Sequence, residues 1–214
     1  MNDESSQHDD ERQAPNAPRR RSMTADDGIE RITAPTAEHF RNWLSLHHAT
    51  ARAVWLVYFK KHTTTPSITW TEAVDEALCF GWIDSTARTL DADRYEQYFT
   101  RRRPNSPWSR VNKDKIVALQ RVGKITAAGY AAIDDAKRNG SWTAFDDAEN
   151  LVVPDDLATA LRLARAHSNF DELAPSRRRS ILYWINSAKR PGTRRRRIDQ
   201  TVRAASQQTA PNRF

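Results

Sequence analysis

The chain has 214 residues, a net charge of +7 and one cysteine, Cys79. A single cysteine excludes an intrachain disulfide and a cysteine-based zinc site, and no run approaches the roughly 18 apolar residues of a membrane span. The first residues lack the apolar segment of a secretory signal, so the cytoplasm is the expected location.

The first 33 residues differ from the rest of the chain in composition. Residues 1–33 are polar and charged with few large apolar groups, which predicts a disordered tail. Folded structure is expected to begin near Pro35, and the tail at residues 207–214 is expected to fray.

Two elements follow the tail. Phe40, Trp43, Leu44 and His47 recur at helical spacing, which predicts a helix with Thr36 as its N-cap. The next run, 54–60, is apolar up to its last residue, Lys60, and rich in β-branched and aromatic residues, which is typical of a central strand.

The next helix has a start signal and a stop signal. Thr69 and Glu72 have the spacing of a capping box, and Gly81 is a natural helix stop, so residues 69–80 are predicted to be helical. A hairpin follows, with its polar link at residues 91–93, which gives a sheet of at least three strands.

Beyond Pro107 the apolar periodicity is helical to the end. Helices are predicted to start at Ser109, Thr126, Pro154, Ser176 and Thr193. Strands in the first half and helices in the second indicate an α+β fold, not alternating βαβ units. We therefore expect a small antiparallel sheet of about three strands with packed helices over 34–150, followed by an all-helical C-terminal section over 151–206.

The loop RRRPNSPWSRVNK is the main candidate site. Three arginines precede a predicted helix start, and Lys113 lies in its first turn. A helix start offers free N–H groups and a partial positive charge, so cations gathered there suggest a bound anion. The predicted ligand-binding residues are Asp84, Arg101, Arg102, Arg103, Ser106, Trp108, Ser109, Asn112 and Lys113.

A structural explanation competes with this hypothesis. The arginines could pair with acidic neighbours such as Asp84, Asp91, Asp93 or Asp114, while Trp108 anchors the loop to the core. Asp84 is expected to pair with one of the arginines in either case. A role for Asp84 as catalytic acid or base in an enzyme of phosphorylated small molecules is a further alternative, although no second carboxylate or histidine is clearly placed with it.

A second basic surface lies near the C-terminus. Residues 176–203 contain ten arginines and lysines against Asp199 alone, which leaves the rest of the chain near −2. The four consecutive arginines Arg194, Arg195, Arg196 and Arg197 ring their helix because neighbours lie about 100° apart. Solvated helix ends are one explanation; weak contact with nucleic acid or anionic lipid is the other. The histidine spacing indicates no metal site, and we expect no cofactor.

Four sequence blocks occur together and in order: EALCFGWIDS, YFTRRRPNSPWSRVNKDKI, VGKITAAGYAAIDDAKRNGSW and FDELAPSRRRSILYWINSAKRPGTRRRRI. Together they resemble the YdeI/OmpD-associated family of bacterial bacteriocin-protection proteins over roughly residues 35–205. The pairing of GWID with the F-T-x-R-x-P-x-S-x-W-S-x-V-N block is specific. The triplet Arg101–Arg103 departs slightly from the more usual start of that block.

The resemblance implies a role in stress tolerance and protection against antimicrobial peptides, with a porin association in the family name. It carries no catalytic residues over to this chain. We therefore expect a non-enzymatic cytoplasmic protein that binds an anionic ligand or partner.

Overall fold

The sheet is mixed and has one more strand than predicted. The computed structural model describes residues 28–207. Its strands are β1 (Arg31–Thr33), β2 (Ala53–Phe59), β3 (Trp82–Thr89) and β4 (Arg94–Arg101). They lie in the order β1-β2-β4-β3, with β1 parallel to β2 and the other neighbours antiparallel.

The additional strand lies in the stretch expected to be a tail. Ile32 of β1 pairs with Leu56 of β2, so ordered structure begins before Pro35. A three-residue strand whose parallel partner lies more than twenty residues away gives no local sequence signal, so the strand was not predicted. Residues 1–27 of the predicted tail, and 208–214 at the other end, lie outside the described residues.

Strand β2 is central, as predicted, and it is apolar on both faces. Val54, Leu56 and Tyr58 point into the main core, where they meet Phe99 of β4. The alternate residue Trp55 is also fully buried. Burial on both faces explains why this strand reads as an unbroken apolar run.

Four helices accompany the sheet: α1 (Ala37–His47), α2 (Trp70–Cys79), α3 (Arg110–Arg121) and α4 (Ala127–Arg138). The predicted capping box is present, because the Thr69 hydroxyl accepts from the Glu72 amide while the Glu72 carboxylate accepts from the Thr69 amide. Ser109 caps α3 as predicted, and Thr126, the predicted start of α4, caps that helix. Thr36 is at the N-cap position of α1 without a side-chain cap bond.

Five helices complete the described chain: α5 (Asp146–Glu149), α6 (Asp155–Leu163), α7 (His167–Asp171), α8 (Pro175–Asn186) and α9 (Pro191–Ser206). The short α5 and α7 were not predicted. Ser176 and Thr193 are not caps, because α8 and α9 each begin one or two residues earlier at a proline. Proline suits this first position, where its missing N–H has no intrahelical partner to lose.

The buried side chains form two clusters. The first core combines the sheet with α1 to α4 and extends to Trp142. The second core begins at Ala148 and takes in α5 to α9, with Phe170, Ile181 and Leu182 at its centre. The changeover therefore falls between Trp142 and Ala148.

Candidate functional site

A pocket opens where β4 leaves the sheet. Its volume is about 450 Å³. The end of α1, the α2–β3 turn, the residues that follow β4 and one face of α4 surround it. The lining residues are His48, Ala49, Phe80, Gly81, Arg101, Arg102, Arg103, Pro104, Trp108, Ala128, Ala131, Ala132 and Asp135. We call this the arginine pocket.

Close approach of α4 to the α2–β3 turn shapes one wall of the pocket. Gly81 has a φ of +72°, and a Cβ there would lie 2.9 Å from the Ala132 Cβ. The Thr126 hydroxyl and amide both donate to the Cys79 carbonyl, at 2.7 and 3.0 Å. A Cβ on Gly129 would overlap that same carbonyl oxygen. These small residues let α4 lie flat against the turn and present its alanines to the pocket.

Hydrogen bonds hold both ends of the loop that carries the three arginines. The Arg102 amide donates to the Gly81 carbonyl at 3.0 Å. Further along, the Pro104 carbonyl accepts from the Asn139 side chain at 2.7 Å, and the Trp108 amide donates to the Ser141 carbonyl at 3.2 Å. The loop is thereby tied to the C-terminal end of α4 and to the turn under the pocket.

Arg102 is the most enclosed cation of the pocket. Its guanidinium lies 3.8 Å from the centre of the Trp108 ring, and Nη2 donates to the Pro107 carbonyl at 2.8 Å. Its Nε is buried and has no hydrogen-bond partner among the described residues. Burial lowers the pKa of Arg102 to about 10, and the charge of Asp84 offsets this only in part. The fold therefore holds this charge at a cost in free energy.

The two flanking arginines are exposed. Arg101 donates from Nη1 to the Ala49 carbonyl at 3.3 Å. Within residues 28–207, none of the three arginines forms an ion pair with a carboxylate. The one acidic residue of the lining, Asp135, is paired with Arg138. The pocket therefore has a strong positive charge.

Two other buried charges of the described chain, Glu96 and Glu76, are compensated by ion pairs. Glu96 is fully buried and accepts from Arg31 at 3.2 Å and from Arg88 at 2.5 Å. Glu76, 2% exposed, accepts in the same way from Arg41 at 2.7 Å and from Lys124 at 3.1 Å. Arg102 differs, because its neighbours are carbonyls and a ring.

The start of α3 is not an open anion site. Ser109 accepts from the Asn112 amide, and the Glu149 carboxylate accepts from the Arg110 amide at 3.4 Å. Lys113 forms an ion pair with Asp146. The hypothesis placed free amides and Lys113 beside the arginines, but the Ser109 hydroxyl and Glu149 of α5 accept from two of these amides, and Asp146 of α5 pairs with Lys113.

Asp84 also lies apart from the pocket lining. Its Oδ2 accepts from Trp70 Nε1 at 3.0 Å and from Gln97 Nε2 at 2.9 Å. The expected ion pair between Asp84 and an arginine is absent from the described structure. The neighbouring acids Asp91 and Asp93 contact Arg94 and His62 instead. The competing explanation is therefore wrong about carboxylate pairing of the arginines within the described residues, but it is confirmed for Trp108, which is 2% exposed and packs in the first core.

The structure thus gathers four of the nine predicted site residues: Arg101, Arg102, Arg103 and Trp108 line the pocket. Ser106 only adds a distant carbonyl contact, 3.5 Å from Arg102 Nη2. Ser109, Asn112 and Lys113 belong to the junction of α3 with α5. The prediction from sequence did not include His48, Phe80 or the alanines of α4. The run of small residues in α4 is a sequence signal that this helix packs closely against its neighbours.

The four C-terminal arginines have different surroundings. Arg194 binds Asp156 with two hydrogen bonds, at 2.6 and 2.9 Å. Arg197 donates to the Trp184 carbonyl and lies 5.1 Å from the centre of the Trp184 ring. Arg195 and Arg196 are exposed. Two of the four predicted nucleic-acid-binding arginines, Arg194 and Arg197, therefore contact residues of the second section of the chain.

The described part of the chain offers no candidate for a membrane span or a metal centre. No helix among residues 28–207 is long and apolar enough to cross a membrane. The same residues contain no group of three or more histidine, cysteine or acidic side chains able to hold a metal ion.

Comparison with family models divides the chain in two. Residues 150–208 match the model described as Bacteriocin-protection, YdeI or OmpD-Associated, which is the family that the sequence blocks resemble, over this part of the chain. Residues 32–132, which contain most of the arginine pocket, match a different model, a domain of unknown function (DUF8412). No curated protein and no solved structure matches the chain.

Proposed function

We propose that this protein acts by binding an anionic ligand or partner in the arginine pocket, without catalysing a reaction. One observation carries the proposal: Arg102 lines the pocket, is enclosed against Trp108 and forms no ion pair with a carboxylate in the described structure. A folded chain holds an uncompensated guanidinium at a cost, and a bound anion would offset that cost.

The chemistry of the pocket supports an anion of the phosphate or carboxylate type. Guanidinium groups form paired, charge-assisted hydrogen bonds with planar or tetrahedral oxyanions. Partial enclosure strengthens such bonds, because water screens them less than on an open surface. Arg101 and Arg103 at the mouth add long-range attraction for the incoming ligand.

The enzymatic alternative has weaker support. Asp84, its acid or base, does not line the pocket, and one of its oxygens already accepts two hydrogen bonds. Binding alone accounts for the arrangement of the arginines. A role in stress tolerance or bacteriocin protection would place this binding in the setting that the family name suggests, and the cytoplasmic location stays a prediction.

Calorimetric titration with inorganic phosphate and with sulfate tests the proposal. The full chain is expected to bind, and Arg102→Met is expected to weaken binding at least about tenfold, because it removes one charge-assisted contact. Arg121→Met is the matched control, since Arg121 is an exposed arginine of α3 outside the pocket. Equal affinities of the wild-type chain and Arg102→Met would overturn the proposal.

Short RNA titrated in parallel separates the nucleic-acid alternative. That alternative expects binding that falls steeply with salt and weakens in an Arg195→Met/Arg196→Met double variant. Our proposal expects RNA binding, where present, to be unaffected by Arg102→Met.

A further inference from the structure

The arginine pocket is selective for more than charge, and we propose that its ligand is a small aliphatic phosphate monoester that carries hydroxyl groups, such as a polyol phosphate. This inference rests on the proposed function, because it names the ligand class of the same pocket. Three properties of the lining carry it: the charge, the aromatic rings and the groups opposite the arginines.

The charge of the pocket favours a dianion. Arg101, Arg102 and Arg103 contribute three positive charges, and the only acid of the lining, Asp135, is already paired with Arg138. A phosphate monoester carries between one and two negative charges at neutral pH and presents three acceptor oxygens. A simple carboxylate brings one charge and two oxygens, so it would satisfy fewer of the guanidinium donors.

The aromatic rings of the lining are not available for stacking. Trp108 is 2% exposed, with Arg102 over its ring and Trp142 beside it at 5.0 Å. Phe80 is 6% exposed and contacts His48 at 5.2 Å and Arg41 at 5.3 Å. Proteins that hold nucleobases without pairing them usually stack them on open aromatic faces. This pocket offers none, which argues against a nucleotide.

The remaining wall suits a compact aliphatic body. Ala128, Ala131 and Ala132 of α4 present methyl groups to a space of about 450 Å³. That volume lies within the usual range for small-molecule sites and exceeds what a lone phosphate needs. The phosphate would lie at the arginines and the carbon skeleton along the alanines.

His48 gives the aliphatic body a polar contact. Its Nδ1 lies 2.9 Å from the Leu44 carbonyl oxygen, which can only accept, so Nδ1 carries the hydrogen. In the neutral ring Nε2 is then an acceptor, and it has no partner among the described residues. A ligand hydroxyl is the donor that such a nitrogen matches.

Calorimetry of the full chain at pH 7.5 and fixed salt tests the ligand class. Glycerol 3-phosphate and glucose 6-phosphate are expected to bind at least about tenfold more tightly than inorganic phosphate and than AMP. AMP binding as tightly as the polyol phosphates would overturn this inference and leave the proposed function standing. Failure of every anion, inorganic phosphate included, would overturn the proposed function itself.

Two variants locate the aliphatic part of the ligand. Ala131→Leu fills the alanine wall at an exposed position, so it is expected to weaken glycerol 3-phosphate at least about fivefold and to leave inorganic phosphate within twofold. Ala118→Leu, an exposed change on α3, is the matched control and is expected to alter neither. His48→Phe is expected to reduce the preference for glycerol 3-phosphate over methyl phosphate. If Ala131→Leu or His48→Phe weakens all phosphates equally, the assignment of the aliphatic body to this wall is wrong.

Discussion

Arg102 and Glu96 are two enclosed charged side chains that differ in their neighbours. Glu96 lies in the sheet between two guanidinium groups, so its charge is both desolvated and compensated. Arg102 has no carboxylate in contact; carbonyl dipoles, the face of Trp108 and the charge of Asp84 offset its desolvation only in part. Removing a compensated charge leaves its partners without an acceptor, whereas removing an uncompensated one relieves a penalty.

This contrast predicts opposite effects on stability. Arg102→Met is expected to leave the free energy of unfolding unchanged or to raise it by up to about 1 kcal/mol, because methionine keeps the contact with Trp108 and removes the desolvated charge. Glu96→Gln is expected to lower it by about 2–3 kcal/mol, because two guanidinium groups lose a charged acceptor. Urea unfolding monitored by tryptophan fluorescence measures both.

The pH dependence of the Arg102 penalty has a definite sign. Because the pKa of Arg102 in the folded chain is lowered to about 10, the penalty is fully present below pH 10 and falls as pH rises toward the ordinary pKa of arginine. The gain in stability of Arg102→Met over the wild-type chain should therefore be largest below pH 10. A loss of about 2 kcal/mol or more in Arg102→Met at pH 7 would show that its charge is compensated after all.

The sequence located the arginines of the site but not their surroundings. The three consecutive arginines before Pro104 can be read from the sequence, and this concentration of positive charge was enough to suggest an anion-binding site. The partner of Lys113 lies 33 residues away in the unpredicted α5, and the alanine wall comes from α4. Which cations are neutralised depends on such distant contacts, and local spacing does not encode them.

At the scale of elements, local chemistry was a reliable guide wherever a side chain caps its own helix. Thr69 and Ser109 cap as predicted, and Thr126 caps the helix predicted to start there, because each bond closes within three residues. Thr36 stands at the predicted N-cap position of α1 but makes no cap bond with its side chain. The prediction was wrong at the starts of α8 and α9, where a proline takes the first position. It also missed β1, whose pairing with β2 is long-range.

The packing of α4 gives a prediction at the element scale. Gly129→Ala is expected to lower the free energy of unfolding by about 1–3 kcal/mol, because a Cβ there would overlap the Cys79 carbonyl oxygen and push α4 off the α2–β3 turn. The same change should widen the arginine pocket and weaken phosphate binding. Thermal unfolding and calorimetry measure the two effects.

Gly192→Ala is the matched control for Gly129→Ala. Gly192 also lies in a helix, α9, and a Cβ there meets nothing within 4 Å. Alanine is the better helix former, so stability should stay unchanged or rise by up to about 1 kcal/mol. Equal effects of the two substitutions would mean that close approach of α4 to the turn is not required.

At the scale of the whole molecule, two cores meet through polar contacts between α3 and α5. Lys113 pairs with Asp146, and Arg110 donates from Nη2 to Asn150 at 2.6 Å and from its amide to Glu149. The Tyr183 hydroxyl of α8 also donates to Glu149, which links this junction to the second core. Polar contacts of this kind contribute far less to stability than a shared apolar core.

We therefore expect the two cores to open separately, in line with the predicted division near residue 150. Native-state hydrogen exchange should give the amides of α8 and α9 one opening free energy and those of β2 and β4 a different one. Lys113→Met should lower the opening free energy of the less stable core by about 1 kcal/mol, because it removes the ion pair of a largely buried lysine with Asp146. Lys61→Met, an exposed change in the β2–α2 loop, is the control and should leave the opening free energies of both cores unchanged. The arginine pocket is built by the first core alone, so phosphate should protect β2 and β4 more than α8 and α9. If all these amides open together at one free energy, with and without phosphate, the chain is a single cooperative unit and the polar junction is stronger than its contacts indicate.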